Sequence, residues 1–295
     1  MTRRRAIWVL LGCTFIWGAS FSLNKMVLGS ATPLAFMAVR FAGSALLLAP
    51  VYRHVDRRDW RTGVALGTLF AVQLALFVVG LAAIDPGRAA FLFSFQTPLV
   101  PVLMLAFHWR WPTGRDLAAI GLATLGGWWL TRPAANGTGL GFGAGDLAMI
   151  GSAACAALYV VLVGAVANRH EPMRLMAVQF VVISLTAGVL SAGFEDPRID
   201  LNTTTVTLIP FLALAGVATF VGQLAGQRAI RPTEAALLFA LEPLVAAAVS
   251  FISVGERLSL GQWAGGGLIL AGSIVAQIGR SAVVPAVPLP SQAVN

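Results

Sequence analysis

Ten apolar runs, each about the length a helix needs to cross a bilayer, follow one another along this chain. Short punctuation by Arg, Pro and Gly marks them off as Ala6–Leu28, Pro33–Tyr52, Thr62–Ala83, Gly87–Phe107, Arg115–Thr131, Ala144–Asn168, Pro172–Gly193, Thr204–Arg228, Thr233–Val254 and Ser259–Gly279. The runs are too long, and alternate too little, to be lipid-facing strands. Inside a bilayer every backbone polar group must be satisfied by the protein, which leaves only helices or closed barrels. The pattern therefore predicts an all-α polytopic membrane protein with ten transmembrane helices. Composition agrees: 58% of the 295 residues are hydrophobic and only 11% are charged, against about 25% charge in a soluble domain. The mean hydropathy is +0.82. The basic start "MTRRRAIWVLLGCTFIWGAS" has the look of a signal peptide. Its apolar run continues to Leu28, however, and has an internal counterpart, so it reads as the first span.

The formal net charge of +8 would suggest nucleic acid in a soluble protein. Here the arginines sit in short runs between apolar blocks and read as topology signals, so no nucleic-acid partner is expected. With the N-terminus in the cytoplasm, the inner loops receive Arg3, Arg4, Arg5, Arg53, Arg57, Arg58, Arg61, Arg110, Arg115, Arg169, Arg174, Arg228, Arg231 and Arg280. The outer loops receive only Arg88, Arg132, Arg198 and Arg257. A miscounted helix would scramble this bias, which places both termini inside.

The chain also writes one unit twice. At an offset of 139, Gly12, Leu23, Val27, Pro33, Met37, Ala38, Val39 and Phe41 meet Gly151, Leu162, Val166, Pro172, Met176, Ala177, Val178 and Phe180. At 146, "AIDPGRAAFLF" (83–93) meets "AIRPTEAALLF" (229–239); at 145, Pro98-Leu99-Val100 meets Pro243-Leu244-Val245. Each copy holds an odd number of spans, so the second enters the membrane from the opposite side. This is an inverted-topology five-helix repeat, whose best-attested use is alternating access in secondary transporters. The expected units are residues 6–131, a linker at 132–143, residues 144–279, and a disordered cytoplasmic tail at 280–295. The linker's glycines follow no strand, so they read as a flexible connector and not a phosphate loop.

Polar residues deep in a span report a cavity or a buried pair. Lys25, the only lysine, lies toward the outer end of the first span and either snorkels to headgroups or serves in gating. Arg40 lies about 10 Å into the second span at 1.5 Å per residue, deep enough to need a functional or structural partner. Glu242 is the one carboxylate placed near the bilayer centre. It either hydrogen-bonds beside the helix break at Pro243 or serves in proton coupling or in binding a cationic group. Gln73, Gln96, Gln179, Gln223 and Gln227 lie deep in other spans and either line a cavity or join helices. Trp17, Ser20 and Tyr159 add amphipathic surface. Pro98 and Pro243 break equivalent helices, and Pro86 and Pro232 mark the equivalent hinge turns. Asp85 and Thr233 read as N-caps, and Glu256 with Arg257 as a local surface pair. Cys13 and Cys155 read as small buried hydrophobes, and no His, Cys or carboxylate spacing suits a metal. His54, His108 and His170 fall in inner loops, out of reach of an intramembrane nucleophile, and no Walker or HExxH motif occurs. Neither an enzyme nor a cofactor is expected.

Two stretches resemble the EamA-type family of the drug/metabolite transporter superfamily. "WGASFSLNKMVL…P…R" supplies Trp17, Gly18, Asn24, Lys25, Pro33 and Arg40, as in the family's opening. "LEPLVAAAVSFISVGERLSLGQWAGGGLILAG" supplies Glu242, Pro243, Gly255, Glu256, Gln262, Gly265 and Gly272, as in its closing helices. The likeness covers nearly the whole chain outside the two tails. It departs from the family after the fourth span, where "HWRWP" stands in place of a Gly-Glu pair. The resemblance implies a carrier in the bacterial inner membrane, a monomer or weak dimer, that exports amino acids or other small metabolites, with protons as a candidate coupling ion. It implies a central cavity lined by the first, third, fourth, sixth, eighth and ninth helices. By position this selects Trp17, Ser20, Asn24, Gln73, Phe93, Gln96, Tyr159, Gln223 and Glu242 as cavity residues, with Lys25 and Arg40 as charge or gating candidates. A lipid-carrier flippase or a polytopic enzyme acting on lipid is the alternative.

Overall fold

Helices in this chain start where the sequence supplies a proline or a cap. The computed structural model describes residues 1–108, 113–131, 142–166, 169–227, 229–230, 235 and 238–277. In chain order the helices are α1 (Arg3–Leu28), α2 (Pro33–Leu47), α3 (Arg57–Ala83), α4 (Pro86–Phe93), α5 (Gln96–His108), α6 (Gly114–Leu130), α7 (Ala144–Val166), α8 (Pro172–Phe194), α9 (Thr203–Gln227), α10 (Glu242–Ser253) and α11 (Leu260–Gln277). Pro33, Pro86 and Pro172 take the first helical position of α2, α4 and α8, where a missing N–H costs nothing. Capping boxes open α3 (Asp56 with Asp59) and α6 (Thr113 with Asp116). The Asp56 carboxyl is held below its usual range, first by the backbone N–H of Asp59.

No strand occurs among the described residues; an isolated antiparallel bridge joins Ala31 to Ile199. The result is an all-helical, polytopic membrane fold. Helices α1, α3, α7, α8 and α9 are each long and apolar enough to cross a membrane, and α2, α10 and α11 are shorter apolar helices. Leu185, Val189, Ile252 and Leu260 stand outward and exposed, while Phe36, Phe91, Leu81 and Ile183 are sealed inside. Large apolar side chains on the outside suit a lipid-facing surface.

Three expected spans differ, the ninth among them, interrupted by a turn at residues 240 and 241. The second ends at Leu47 and continues as a 3₁₀ turn over Ala49–His54, because Pro50 disfavours α geometry in the residue before it. The fourth is divided into α4 and α5. Pro232, Thr233, residues 132–141 of the expected linker and the expected tail lie outside the described residues.

Packing pairs α2 with α8, α6 with α11, α3 with α7 and α8, α1 with α9 and α10, α2 with α9, and α4 with α10. The tightest approach is at α6–α11. A Cβ on Gly126 would lie 2.5 Å from the Gly265 carbonyl oxygen, and one on Gly265 would lie 2.6 Å from the Gly126 carbonyl oxygen. Small residues let membrane helices close up without a hydrophobic drive between them. Gly265→Leu should therefore force α6 and α11 apart and cost about 1–3 kcal/mol, read by thermal unfolding of the purified protein in detergent. Gly121→Ala on the exposed side of α6, where a Cβ meets nothing within 4 Å, should be neutral or gain about 0.5 kcal/mol.

Candidate functional site

The site grows from two interrupted helices. Pro98 has no N–H to give the carbonyl four residues back, that of Ser94. The Ser94 oxygen instead takes the Thr97 N–H at 3.1 Å and the Ser273 hydroxyl at 3.4 Å. The break between α4 and α5 thus falls one turn before the proline. Pro243 acts alike: residues 240 and 241 are a turn and α10 starts at Glu242, with Pro243 second. Thr97 and Glu242 occupy the same place relative to the two prolines.

These breaks face a cavity of about 640 Å³ in the bundle. Of the expected residues, Trp17, Ser20, Asn24, Gln73, Phe93, Gln96, Gln223, Glu242 and also Arg40 line it. The Trp17 indole N–H donates to Thr219 Oγ1 at 3.0 Å, and its ring leans on Phe239 at 5.3 Å. Ser20 donates to the Trp17 carbonyl at 2.7 Å. Gln73 Nε2 donates to Ser152 Oγ at 2.8 Å, and that hydroxyl donates back to the Gln73 carbonyl at 3.0 Å, joining α3 to α7. Arg40 Nη1 donates to Asn24 Oδ1 at 3.1 Å. The Glu242 carboxyl has no hydrogen-bond or ion-pair partner among the described residues. On α9 the lining reaches Gln223 and on α11 it reaches Ala276, each close to the helix end. On α1 it reaches Asn24, also close to its helix end, so the lining spans the middle of the bundle. In the loop before α8, His170 Nδ1 meets Asp59 Oδ1 at 2.7 Å.

Tyr159 stands behind the wall and does not line it. Its ring stacks on Phe70 at 4.6 Å and its hydroxyl donates to Gln179 at 2.7 Å. Sequence reasoning missed Phe21, Phe70, Phe77, Thr97 and Ser273. Thr97 was findable as the repeat counterpart of Glu242. Phenylalanine is too common on lipid faces to stand out, and Ser273 belongs to α11, the tenth span, outside the expected lining set.

The opposite end is closed. Phe21, Phe77 and Phe93 meet edge to face at 5.1–6.3 Å beneath it. Lys25 neither snorkels nor faces the cavity: its Nζ donates to the carbonyls of Leu81, Ala82 and Ile84 at 2.9–3.0 Å, capping α3. Asp85 stands at the N-cap of α4 but its side chain accepts nothing there. Glu256 does that work instead, and it does not pair with Arg257. It takes the Gly87 N–H at 2.7 Å, the Arg88 N–H at 3.0 Å and the Ser250 hydroxyl. Burial holds its carboxyl above the usual range, against the pull of those three donors. Arg257 lies over the Phe251 ring at 5.9 Å. Arg88, with its side chain 8% exposed, makes a two-pronged ion pair at 2.7 Å with Asp146, 1% exposed, on α7. Glu195 accepts the N–H groups of Leu34 and Ala35 and so caps α2 from the end of α8.

An all-helical membrane bundle with a central polar-and-aromatic cavity beside two interrupted helices, closed at one end, is the build of a membrane transporter. The EamA-like transporter family matches residues 4–132 and 143–277, and the chain belongs to that family, within the drug/metabolite transporter superfamily. It is 27% identical to an uncharacterized transporter of Archaeoglobus fulgidus over 89% of this chain and 82% of that one. It is 25% identical to the transporter YwfM of Bacillus subtilis over 92% of each. A solved crystal structure superposes with a TM-score of 0.64 over 93% of this chain and 97% of the other, at 17% identity.

The buried pair at the closed end gives a stability test. Arg88→Ala strands a buried carboxylate and should cost about 3–5 kcal/mol. Arg88→Met with Asp146→Asn should recover most of that, since Asn can still accept the Gly143 N–H that Asp146 takes at 2.9 Å. Thermal unfolding of the three proteins checks both.

Proposed function

We propose that this is a secondary transporter working by alternating access. It carries an amino acid or similar small amphipathic metabolite outward across the bacterial inner membrane, with both termini cytoplasmic. The observation that carries the reading is a central cavity of polar and aromatic side chains set beside two interrupted helices, with one end of the bundle closed by contacts such as Glu256 on α4. The orientation rests on the arginine bias; it makes the closed end the outer one. Export and the amino-acid class rest on the family resemblance. Relatives named as transporters favour transport over enzymatic activity.

Two inverted five-helix repeats are part of the proposal. Contacts recur at the sequence offsets: Cys13 Sγ donates to the Thr219 carbonyl at 3.5 Å, and its counterpart Ser152 donates to the carbonyl of Gln73, the counterpart of Thr219. Leu10 crowds Gly226 as Met149 crowds Gly80. Rocking related halves about a shared site is how such repeats expose it alternately.

Glu242 is the candidate coupling carboxylate. Purified protein in liposomes loaded with a metabolite mixture should release specific compounds faster than empty liposomes do, read by mass spectrometry; equal release sinks the transport reading. Glu242→Gln should slow that release and flatten its dependence on pH. An unchanged rate with an unchanged pH response removes the proton role.

Glu256 supplies a second pH effect. Its proton affinity is raised when the outer end is closed and returns to that of a hydrated glutamate when it opens. The state with the higher pKa gains as pH falls through the interval between the two values, so acid should favour closure. Spin labels at positions 83 and 257 should shift toward their short-distance population as pH falls, and Glu256→Gln should remove that shift.

A further inference from the structure

Arg40 is a cation within the membrane-embedded bundle with no acid beside it. Its Nε is sealed and has no acceptor. Nη1 has Asn24, and Nη2 has no acceptor among the described residues. A Cβ on Gly216 would meet Nη2 at an ordinary contact distance, 3.8 Å, so α9 passes beside that nitrogen without bonding it. The guanidinium lies 5.2 Å from the Phe41 ring centre, a weak substitute for a counter-charge. The other charged lining residue, Glu242, forms no ion pair with it. A charge left unpaired at this depth is costly and marks a pathway for substrate or ions.

The repeat shows that helix packing does not require this charge. At the 139 offset Arg40 corresponds to Gln179. Gln179 is 2% exposed and accepts the Tyr159 hydroxyl, joining α8 to α7 as Arg40 joins α2 to α1. One copy is neutral and walled in. The other is charged, short of acceptors and faces the cavity.

We propose that Arg40 and Asn24 form an anion subsite that receives the carboxylate of the carried compound. The compound's apolar body then lies along Trp17, Phe70, Phe93 and Phe239. Nη2 and the second N–H of Nη1 are left for the two-pronged contact a guanidinium makes with a carboxylate. This deepens the carrier reading and rests on it for its setting. The carboxylate can belong to a simple acid or to an amino acid; in the second case the amino group falls to Glu242.

The test uses the full chain in detergent with four matched probes: 3-phenylpropionate, phenylalanine, phenethylamine and 3-phenylpropionamide. Bound ligand raises the melting temperature in proportion to its concentration over Kd on a logarithmic scale. A carboxylate probe should raise it, and the amine and amide should not; a larger shift with phenylalanine than with 3-phenylpropionate assigns the amino group as well. Arg40→Met should abolish the shift while melting, ligand-free, at or above the wild-type temperature, which a structural arginine would not do. Arg40→Lys, which keeps charge but loses the fork, should weaken binding by about 10- to 100-fold. The subsite is overturned by no response to either carboxylate, by an equal response to the amide, or by a carboxylate shift that survives in Arg40→Met and Arg40→Lys. Carboxylate binding without liposome flux would sink the carrier and spare the subsite; flux of other compounds without carboxylate binding would do the reverse.

Discussion

A charge or a free backbone group inside a bilayer has to be met by the protein itself, because no water is there to meet it. Each ionic contact at the closed end follows from that demand. Lys25 ends on three carbonyls left open by the last turn of α3. Glu195 and Glu256 end on N–H groups left open by the first turns of α2 and α4. Helix ends carry partial charges of the matching sign, so each side chain answers both a hydrogen-bonding and an electrostatic need. Arg88 and Asp146 answer each other.

The same demand separates two kinds of helix contact. Where α6 meets α11, glycines bring backbones together with no polar side chain between them, a contact with nothing to release. Where α4 meets the end of α10, the contact is one carboxylate shared among three donors. Hydration can replace those bonds when the end opens. A close-packed glycine seam suits a fixed scaffold, and a shared carboxylate suits a joint.

Much of the fold was legible because lipid imposes few solutions. Run length located the helices, and Pro33 and Pro172 marked starts the structure keeps. Pro98 and Pro243, at matching places in the sequence, marked the interrupted helices. What was not legible is which group answers which across space. Asp85 stands at the N-cap of α4, yet the cap comes from Glu256, far along the chain. Adjacent Glu256 and Arg257 suggested a pair, but burial sends the first inward and leaves the second on an aromatic ring. Tyr159 falls on a cavity-lining helix by position, but a rotation of less than one turn puts Phe70 between it and the space. Of the linker, hinge and tail readings, those at Pro232, at 132–141 and at 280–295 lie outside the described residues.

A chain that one family matches twice, over 4–132 and 143–277, also carries its own control. Positions that packing constrains make like contacts in both copies: Gly126 crowds the backbone of Gly265 and Ile269 as Gly272, 146 residues on, crowds that of Ala119 and Ala123, and Cys13 and Ser152 make the same bond from equivalent helices. Positions freed from packing can diverge in chemistry, and they do so around the cavity. Thr97 stands where Glu242 stands, and Gln179 where Arg40 stands. In each pair one member is neutral and the other brings a charge to the lining. Burying a lone charge destabilises the bundle, so charges at these two places, where the matching positions are neutral, point to what the cavity holds.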